Sequence, residues 1–67
     1  MTGKLHFNLE IRLEQGGGWY RAEAYFEDQL FETMGPFLTA VARERQIAEL
    51  MSILEEKFTL TVTRLGN

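Results

Sequence analysis

The side chains that could carry out chemistry in this sequence are few and scattered. A nucleophilic site needs a nucleophile, a base and an orienting group that converge, yet the chain has no cysteine and one histidine, His6. Its one serine, Ser52, falls on the polar side of a predicted helix. The same composition excludes a tetrahedral zinc site built from nitrogen and sulfur ligands. We therefore expect no catalytic residue, no metal and no cofactor, and a protein that is not an enzyme.

Two groupings have the composition of a site but the wrong setting. Four glutamates fall on one face of a predicted hairpin: Glu10, Glu14, Glu23 and Glu27. Paired carboxylates can hydrolyse glycosides, but two arginines lie among these on an open surface, which indicates a solvated face. The glycines at 16–18 precede a strand rather than a helix and lack the spacing of a phosphate loop, so they predict a turn. His6 is expected to be an ordinary exposed strand histidine.

Size and charge narrow the class of protein. The chain has 67 residues, which predicts a single domain over residues 1–67. Folds below about 70 to 80 residues commonly depend on a disulfide, a metal or a partner subunit. Since the first two are excluded by composition, we expect a homo-oligomer. The net charge of -3 argues against a protein that tracks a nucleic-acid backbone.

The sequence carries no sign of a membrane segment. No stretch approaches the 18 or more apolar residues of a membrane span, and the N-terminus lacks the charged region and apolar core of a signal peptide. We therefore expect a cytoplasmic protein that does not bind membranes.

The elements that must position any site begin with a hairpin. Leu5 to Glu14 and Trp19 to Phe26 both alternate apolar and polar residues, as half-buried strands do. A loop of Gly17 and Gly18 suits a type I′ or II′ turn, and we expect a β-branched residue at Gly17 to destabilise it. This loop sets Gly16 opposite Trp19.

That register is supported by charge. It sets Glu14 opposite Arg21 and Arg12 opposite Glu23, two pairs of opposite sign, whereas a slip of two residues would set arginine against arginine. Turn chemistry and charge therefore predict the same pairing.

The rest of the chain predicts a helix and a last strand. Leu30 to Met34 is either a short strand or an irregular crossover. A helix is predicted from Pro36 to Lys57, because proline fits a first helical turn and apolar residues then recur with helical spacing. Phe58 to Leu65 alternates apolar residues with threonines, which favours a strand.

The predicted fold class is α+β, with element order ββαβ or ββ(β)αβ. One long helix covers one face of an antiparallel hairpin. The last strand is placed beside the first, at an edge, by a right-handed crossover from the second strand through the helix. The predicted sheet order is 2-1-3.

Three features predict contact with another molecule. Trp19 and Tyr25 project beside Arg12 and Arg21 from the uncovered face, and aromatic residues with arginine are common interface anchors. Alternatively, Trp19 covers the glycine opposite and Tyr25 lies over its neighbours. Glu44 falls inside the apolar arc of the helix as a possible buried charge, and it either extends to water or reaches an arginine of a partner.

The third feature is the predicted edge strand, which carries Thr59, Thr61 and Thr63. Its high β-propensity without charge or proline is the reverse of how monomers protect an edge. We expect either a second copy of the chain or an extended segment of another protein to cover it.

The pattern of a strand, the Gly17-Gly18-Trp19 turn, a second strand, a loop and a helix from Leu38 resembles the N-terminal domain of HicB-type antitoxins. The resemblance covers about half the chain. It lacks that family's proline-glycine-cysteine stretch after the second strand, and we expect no DNA-binding segment after the last strand. It implies an antitoxin-like regulator.

These observations predict a non-catalytic, homodimeric protein-binding domain that regulates or inhibits another protein. A phage-encoded inhibitor of a host complex would have such a size and charge. The alternatives are the antitoxin-like regulator and a small nucleic-acid binder that uses the open sheet, as sheet-based RNA readers do.

Overall fold

A four-stranded mixed sheet with one helix on one face makes up the part of the chain that the structure describes. The computed structural model describes residues 3–66. In chain order the elements are β1 (Leu5–Gly16), β2 (Trp19–Phe26), β3 (Gln29–Phe37), α1 (Ala40–Glu55) and β4 (Phe58–Gly66). β2 pairs antiparallel with both β1 and β3, whereas β4 pairs parallel with β1. The predicted α+β class is confirmed; the domain prediction also takes in residues 1, 2 and 67, which lie outside the described residues.

The strand order is β3-β2-β1-β4, so the predicted order 2-1-3 is wrong. The reason is that the undecided segment Leu30 to Met34 lies within a strand, β3, which pairs with the free side of β2. The chain therefore enters α1 from β3 and not from β2. The last strand does lie beside the first at an edge, as the continuous apolar row of β1 predicted.

The register of the first hairpin is confirmed, but its turn type is not. Gly16 lies opposite Trp19, and Glu14 lies opposite Arg21. Of the two loop residues, Gly18 has a positive φ of 80° and Gly17 does not. A type I′ turn needs a positive φ at both positions and a type II′ turn at the first, so this arrangement corresponds to a type II turn.

The turn type reverses which glycine should resist substitution. We expect Gly18→Val to lower the free energy of unfolding by about 1 to 2 kcal/mol, because a β-branched residue is strained at positive φ. Gly17→Val should change it by less than about 0.5 kcal/mol, since a Cβ at Gly17 meets nothing within 4 Å. Urea denaturation of the two variants makes the comparison. Equal losses would contradict the type II assignment.

The second hairpin uses residues that gave no turn signal. Glu27 and Asp28 have φ values of 49° and 67°, and they join Phe26 to the residue opposite it, Gln29. Two positive φ values in a two-residue loop are the geometry of a type I′ turn, which usually takes asparagine and glycine. β3 then runs along the sheet edge with two irregularities in its pairing to β2 and with Pro36 near its end.

The helix is shorter than predicted at both ends. It begins at Ala40 and not at Pro36, because Pro36 belongs to β3 and Thr39 is the N-cap. The Thr39 hydroxyl accepts a hydrogen bond from the Ala42 amide at 3.1 Å. At the other end the helix stops at Glu55, before the predicted limit at Lys57. The Lys4 ammonium donates a hydrogen bond to the Glu55 carbonyl oxygen at 2.6 Å.

The core lies between the helix and the middle of the sheet. Its buried apolar residues are Leu9, Ile11, Ala22, Ala24, Met34 and Ile47. The alternation in β1 and β2 predicted the first four. Helical spacing also predicts that Val41 and Ala48 lie on the buried arc of the helix, but both are exposed. A single helix on a sheet buries a narrow stripe, and that stripe is centred nearer Arg43 and Ile47 than the sequence predicted.

Candidate interaction surfaces

The face of the sheet opposite α1 carries a network of side chains that satisfy one another. The Arg12 guanidinium lies 3.7 Å from the centre of the Tyr25 ring and forms an ion pair with Glu10. The Tyr25 hydroxyl donates a hydrogen bond to Glu23 at 3.0 Å. The register sets Arg12 opposite Glu23, as predicted, but the guanidinium pairs along its own strand instead. Tyr25 therefore lies over its neighbours, as the alternative to a partner-binding role predicts.

The second arginine of this face is also paired. Arg21 donates to Glu14 across the hairpin, with its Nε 2.8 Å from the carboxylate and its terminal nitrogen in a second contact. This is the cross-strand pair that the register predicted. Both arginines predicted to bind a partner are thus neutralised within the chain.

These contacts perturb three ionisation equilibria. The hydrogen bond to Glu10 raises the pKa of Arg12, and that to Glu14 raises the pKa of Arg21. The pKa of Tyr25 is raised first by its hydrogen bond to Glu23 and then by desolvation, because both disfavour the phenolate. Both guanidinium groups are therefore charged, and the Tyr25 hydroxyl keeps its proton, at neutral pH.

The Tyr25 contact makes a prediction for alkaline solution. Because its folded-state pKa lies above the ordinary value of about 10, its contribution to stability is complete below that value and is lost as pH rises through the folded-state pKa. We expect the Cζ chemical shift of Tyr25 to titrate with its midpoint at a higher pH in the parent than in the Glu23→Gln variant. Glu32→Gln, an exposed glutamate on β3, should leave that titration unchanged. Equal midpoints in parent and Glu23→Gln would contradict the hydrogen bond.

Trp19 lies over the glycine opposite it. A Cβ at Gly16 would overlap the Trp19 indole, so the ring occupies the space above that residue. Trp19 remains 39% exposed and, with Arg21 and Pro36, lines a shallow depression of about 420 Å³. Its cover of Gly16 accounts for part of its position. A partner-binding role for Trp19, Tyr25, Arg12 and Arg21 stays a prediction.

The β4 edge is the surface with the least protection. Within residues 3–66, β4 pairs with β1 alone, and its residues from Phe58 to Thr63 carry no charge and no proline. Thr59, Thr61 and Thr63 are exposed, whereas Leu60 and Val62 are half-buried on the helix side. Alternate residues of such an edge direct backbone N–H and C=O groups away from the sheet. The edge can therefore hydrogen-bond an added strand.

His6 lies at the seam between β1 and β4. Its Nε2 is 2.8 Å from the Thr61 hydroxyl and 3.2 Å from the Asn8 side-chain oxygen. Its side chain is exposed, as expected for an ordinary strand histidine. These contacts connect the Thr61 side chain of the edge strand β4 to His6 of β1.

Glu44 is exposed and is not a buried charge, which agrees with the alternative in which its side chain extends to water. Its carboxylate pairs with Arg64 of the same chain at 2.6 Å, on the β4 side of the helix. The buried charge is its neighbour Arg43, which is 5% exposed and donates to the Glu14 carbonyl oxygen at 3.0 Å. Arg43 lies four residues before Ile47 on the buried row, a spacing that agrees with its burial but does not by itself distinguish it from Glu44.

Two further properties concern residues 3–66 as a whole. They contain no group of three or more histidine, cysteine, aspartate or glutamate side chains placed to hold a metal ion. Their one helix is too short and too polar to cross a membrane.

Comparison with family models, curated proteins and solved structures finds no match to this chain.

Proposed function

We propose that this protein is a non-catalytic protein-binding domain that binds an extended strand at the β4 edge and, through binding, regulates or inhibits its partner. The observation that carries the proposal is the uncharged run from Phe58 to Thr63 at an edge whose outer side is paired with nothing in residues 3–66. Strand addition at such an edge gives affinity through main-chain hydrogen bonds and specificity through alternate side chains.

The two edges of the sheet differ in the way this function requires. β3 has irregular pairing, Pro36 and the exposed charge of Glu32, which are the devices that discourage edge pairing. β4 has none of these before Arg64. The β4 edge is unprotected, whereas the β3 edge at the other side of the sheet is protected. This difference supports a binding role for β4.

The charge on the open face favours a protein over a nucleic acid as partner. A nucleic-acid binder gains affinity when free lysines and arginines displace counterions from phosphates. Arg12 and Arg21 instead pair with Glu10 and Glu14. The antitoxin-like alternative is a case of the same proposal, because an antitoxin would also act by binding another protein.

Affinity capture from the organism of origin tests the proposal with three baits. These are the parent, an edge variant with Thr61→Lys and Thr63→Lys, and a control with Gln29→Lys and Thr33→Lys. The control adds the same charge to exposed positions of β3. We expect parent and control to retain the same protein and the edge variant to lose it, and calorimetry with that purified protein should repeat the order. Equal retention by all three baits would contradict strand addition at β4.

A further inference from the structure

We infer that the strand added to β4 is the β4 strand of a second copy of this chain, paired antiparallel about a two-fold axis that is perpendicular to the sheet and passes midway between Thr61 and its copy. The inference rests on the proposed strand addition and names a second copy as its occupant, so a protein that the domain regulates would bind the joined surface of the pair and not the β4 edge itself. It goes further by fixing the register, the placement of the helices and the surface that the pair presents.

The side-chain pattern of β4 is complementary to itself in this register. Residues directly opposite in an antiparallel pair project from the same face of the sheet. A centre at Thr61 sets Thr59 opposite Thr63 of the second copy, and Thr61 opposite its own copy, all on the open face. On the helix face it sets Leu60 opposite Val62. Threonine thus meets threonine and apolar meets apolar, which are favourable cross-strand pairs.

Neighbouring registers match less well. A centre at Val62 would set Leu60 opposite Arg64, and Thr59 opposite Leu65. A centre at Leu60 would shorten the overlap and draw in Lys57 opposite Thr63. The Thr61 centre pairs residues 59–63 of one copy with residues 59–63 of the other, and it moves the apolar–arginine pair, Phe58 with Arg64, to the two ends of the pairing.

The two-fold axis also decides where the helices lie. An axis perpendicular to the sheet reverses the strand direction but keeps the face, so both copies of α1 lie on the same side. Parallel pairing would need an axis along the strands, which would place the helices on opposite sides. The Leu60 and Val62 row of one copy would then continue into the threonine row of the other, without an apolar face shared by the two copies. The antiparallel arrangement is therefore favoured.

A second copy also meets a need of this small domain. β4 is held on one side alone, and Leu60 and Val62 remain half-buried at the border of the core. Small domains bury a small fraction of their surface, and oligomerisation is a common remedy. Pairing would extend the helix-side apolar layer across both copies. It would also join the two open faces into one surface of eight strands, with a Trp19 depression on each half.

Light scattering after size exclusion tests whether the pair forms. We expect the parent to have about twice the 7.8 kDa mass of the chain, as should the control with Gln29→Lys and Thr33→Lys. The variant with Thr61→Lys and Thr63→Lys should have the mass of one chain with an unchanged circular dichroism spectrum. A parent that stays monomeric at high micromolar concentration, or an edge variant that stays dimeric, would overturn the inference.

Single cysteines test the register, because the chain has no cysteine of its own. Opposite residues have Cα atoms about 4.5 to 5.5 Å apart, within the reach of a disulfide. With diamide as the oxidant, Thr61→Cys should give a cross-linked dimer. Thr59→Cys and Thr63→Cys alone should not, since each lies opposite the other position. Cross-linking of Thr59→Cys or Thr63→Cys without Thr61→Cys would contradict the two-fold centre.

The two proposals fail in different ways. If the parent is monomeric but the edge variant still loses its captured protein, β4 adds a strand from another protein and the second copy is excluded. If the parent is monomeric and capture is independent of the edge, both the inference and the proposed function are excluded.

Discussion

The Leu9→Asp variant is expected to show no cooperative folding transition. Leu9 lies in β1, which has a paired strand on each side, and its side chain is 1% exposed within the apolar core. Removing a buried leucine side chain costs about 2 to 5 kcal/mol, and burying an unpaired carboxylate adds to that loss. The sum is comparable to the whole stability of a small domain, which is about 5 kcal/mol or less.

A matched substitution on the same strand and face provides the control. Leu5 also projects toward the helix side but is 74% exposed, so Leu5→Asp should change the free energy of unfolding by less than about 0.5 kcal/mol. Thermal melts followed by circular dichroism distinguish the two. A cooperative melt of Leu9→Asp near that of the parent would refute the assignment of Leu9 to the core.

Arg43→Ala is expected to lower the free energy of unfolding by about 2 to 4 kcal/mol. Arg43 donates from the helix to the Glu14 carbonyl oxygen at 3.0 Å, and its guanidinium lies 5.4 Å from the centre of the Tyr20 ring. It thereby holds the helix N-terminal half against the ends of β1 and β2. Alanine would leave a cavity and remove the donor from that carbonyl.

Two further arginine variants separate burial from charge. Arg45→Ala removes the same charge from an exposed helical position two residues later, and should change the free energy of unfolding by less than about 0.5 kcal/mol. Arg43→Lys keeps the charge but lacks the planar guanidinium that reaches several acceptors, so we expect an intermediate loss in urea denaturation. If Arg43→Ala is no less stable than Arg45→Ala, Arg43 does not hold the helix to the sheet.

The first hairpin was predictable because three independent signals agree there. Strict alternation defines both strands, glycines mark the loop, and the Glu14–Arg21 pair selects the register. The turn type was not predictable, since two glycines accept any φ and the sequence therefore gives no preference between Gly17 and Gly18.

The second hairpin was not predictable because its loop lacks the residues that usually mark such a turn. Its loop residues, Glu27 and Asp28, carry no glycine or asparagine signal, although both have a positive φ. The irregularity in β3 pairing near Leu30 also interrupts the period-two pattern by which a strand is recognised. Pro36 misled the helix prediction because proline is accepted at an edge strand as well as in a first helical turn.

The candidate sites were predicted unevenly. Alternation along β4 was enough to place Thr59, Thr61 and Thr63 on the exposed face of the strand, and its place at the sheet edge was predicted from the apolar row of β1. On the helix, Arg43 and Glu44 are adjacent charged residues, and periodicity alone does not decide which of two neighbours at the border of an apolar arc is buried. The answer depends on the carbonyl of Glu14, which tertiary structure brings to Arg43.

The parallel pairing of β1 with β4 has a consequence for how the chain folds. Leu5 lies opposite Phe58, so β1 can pair with β4 only after β2, β3 and α1 have been synthesised. A meander of β1, β2 and β3 that formed before β4 would have β1 as its open edge, with the longest apolar row of the domain beside it. Contacts so distant along the chain form slowly, and exposed edges promote aggregation in the interval. With that folding order the open edge would change from β1, which the complete domain covers, to β4, which the domain leaves open.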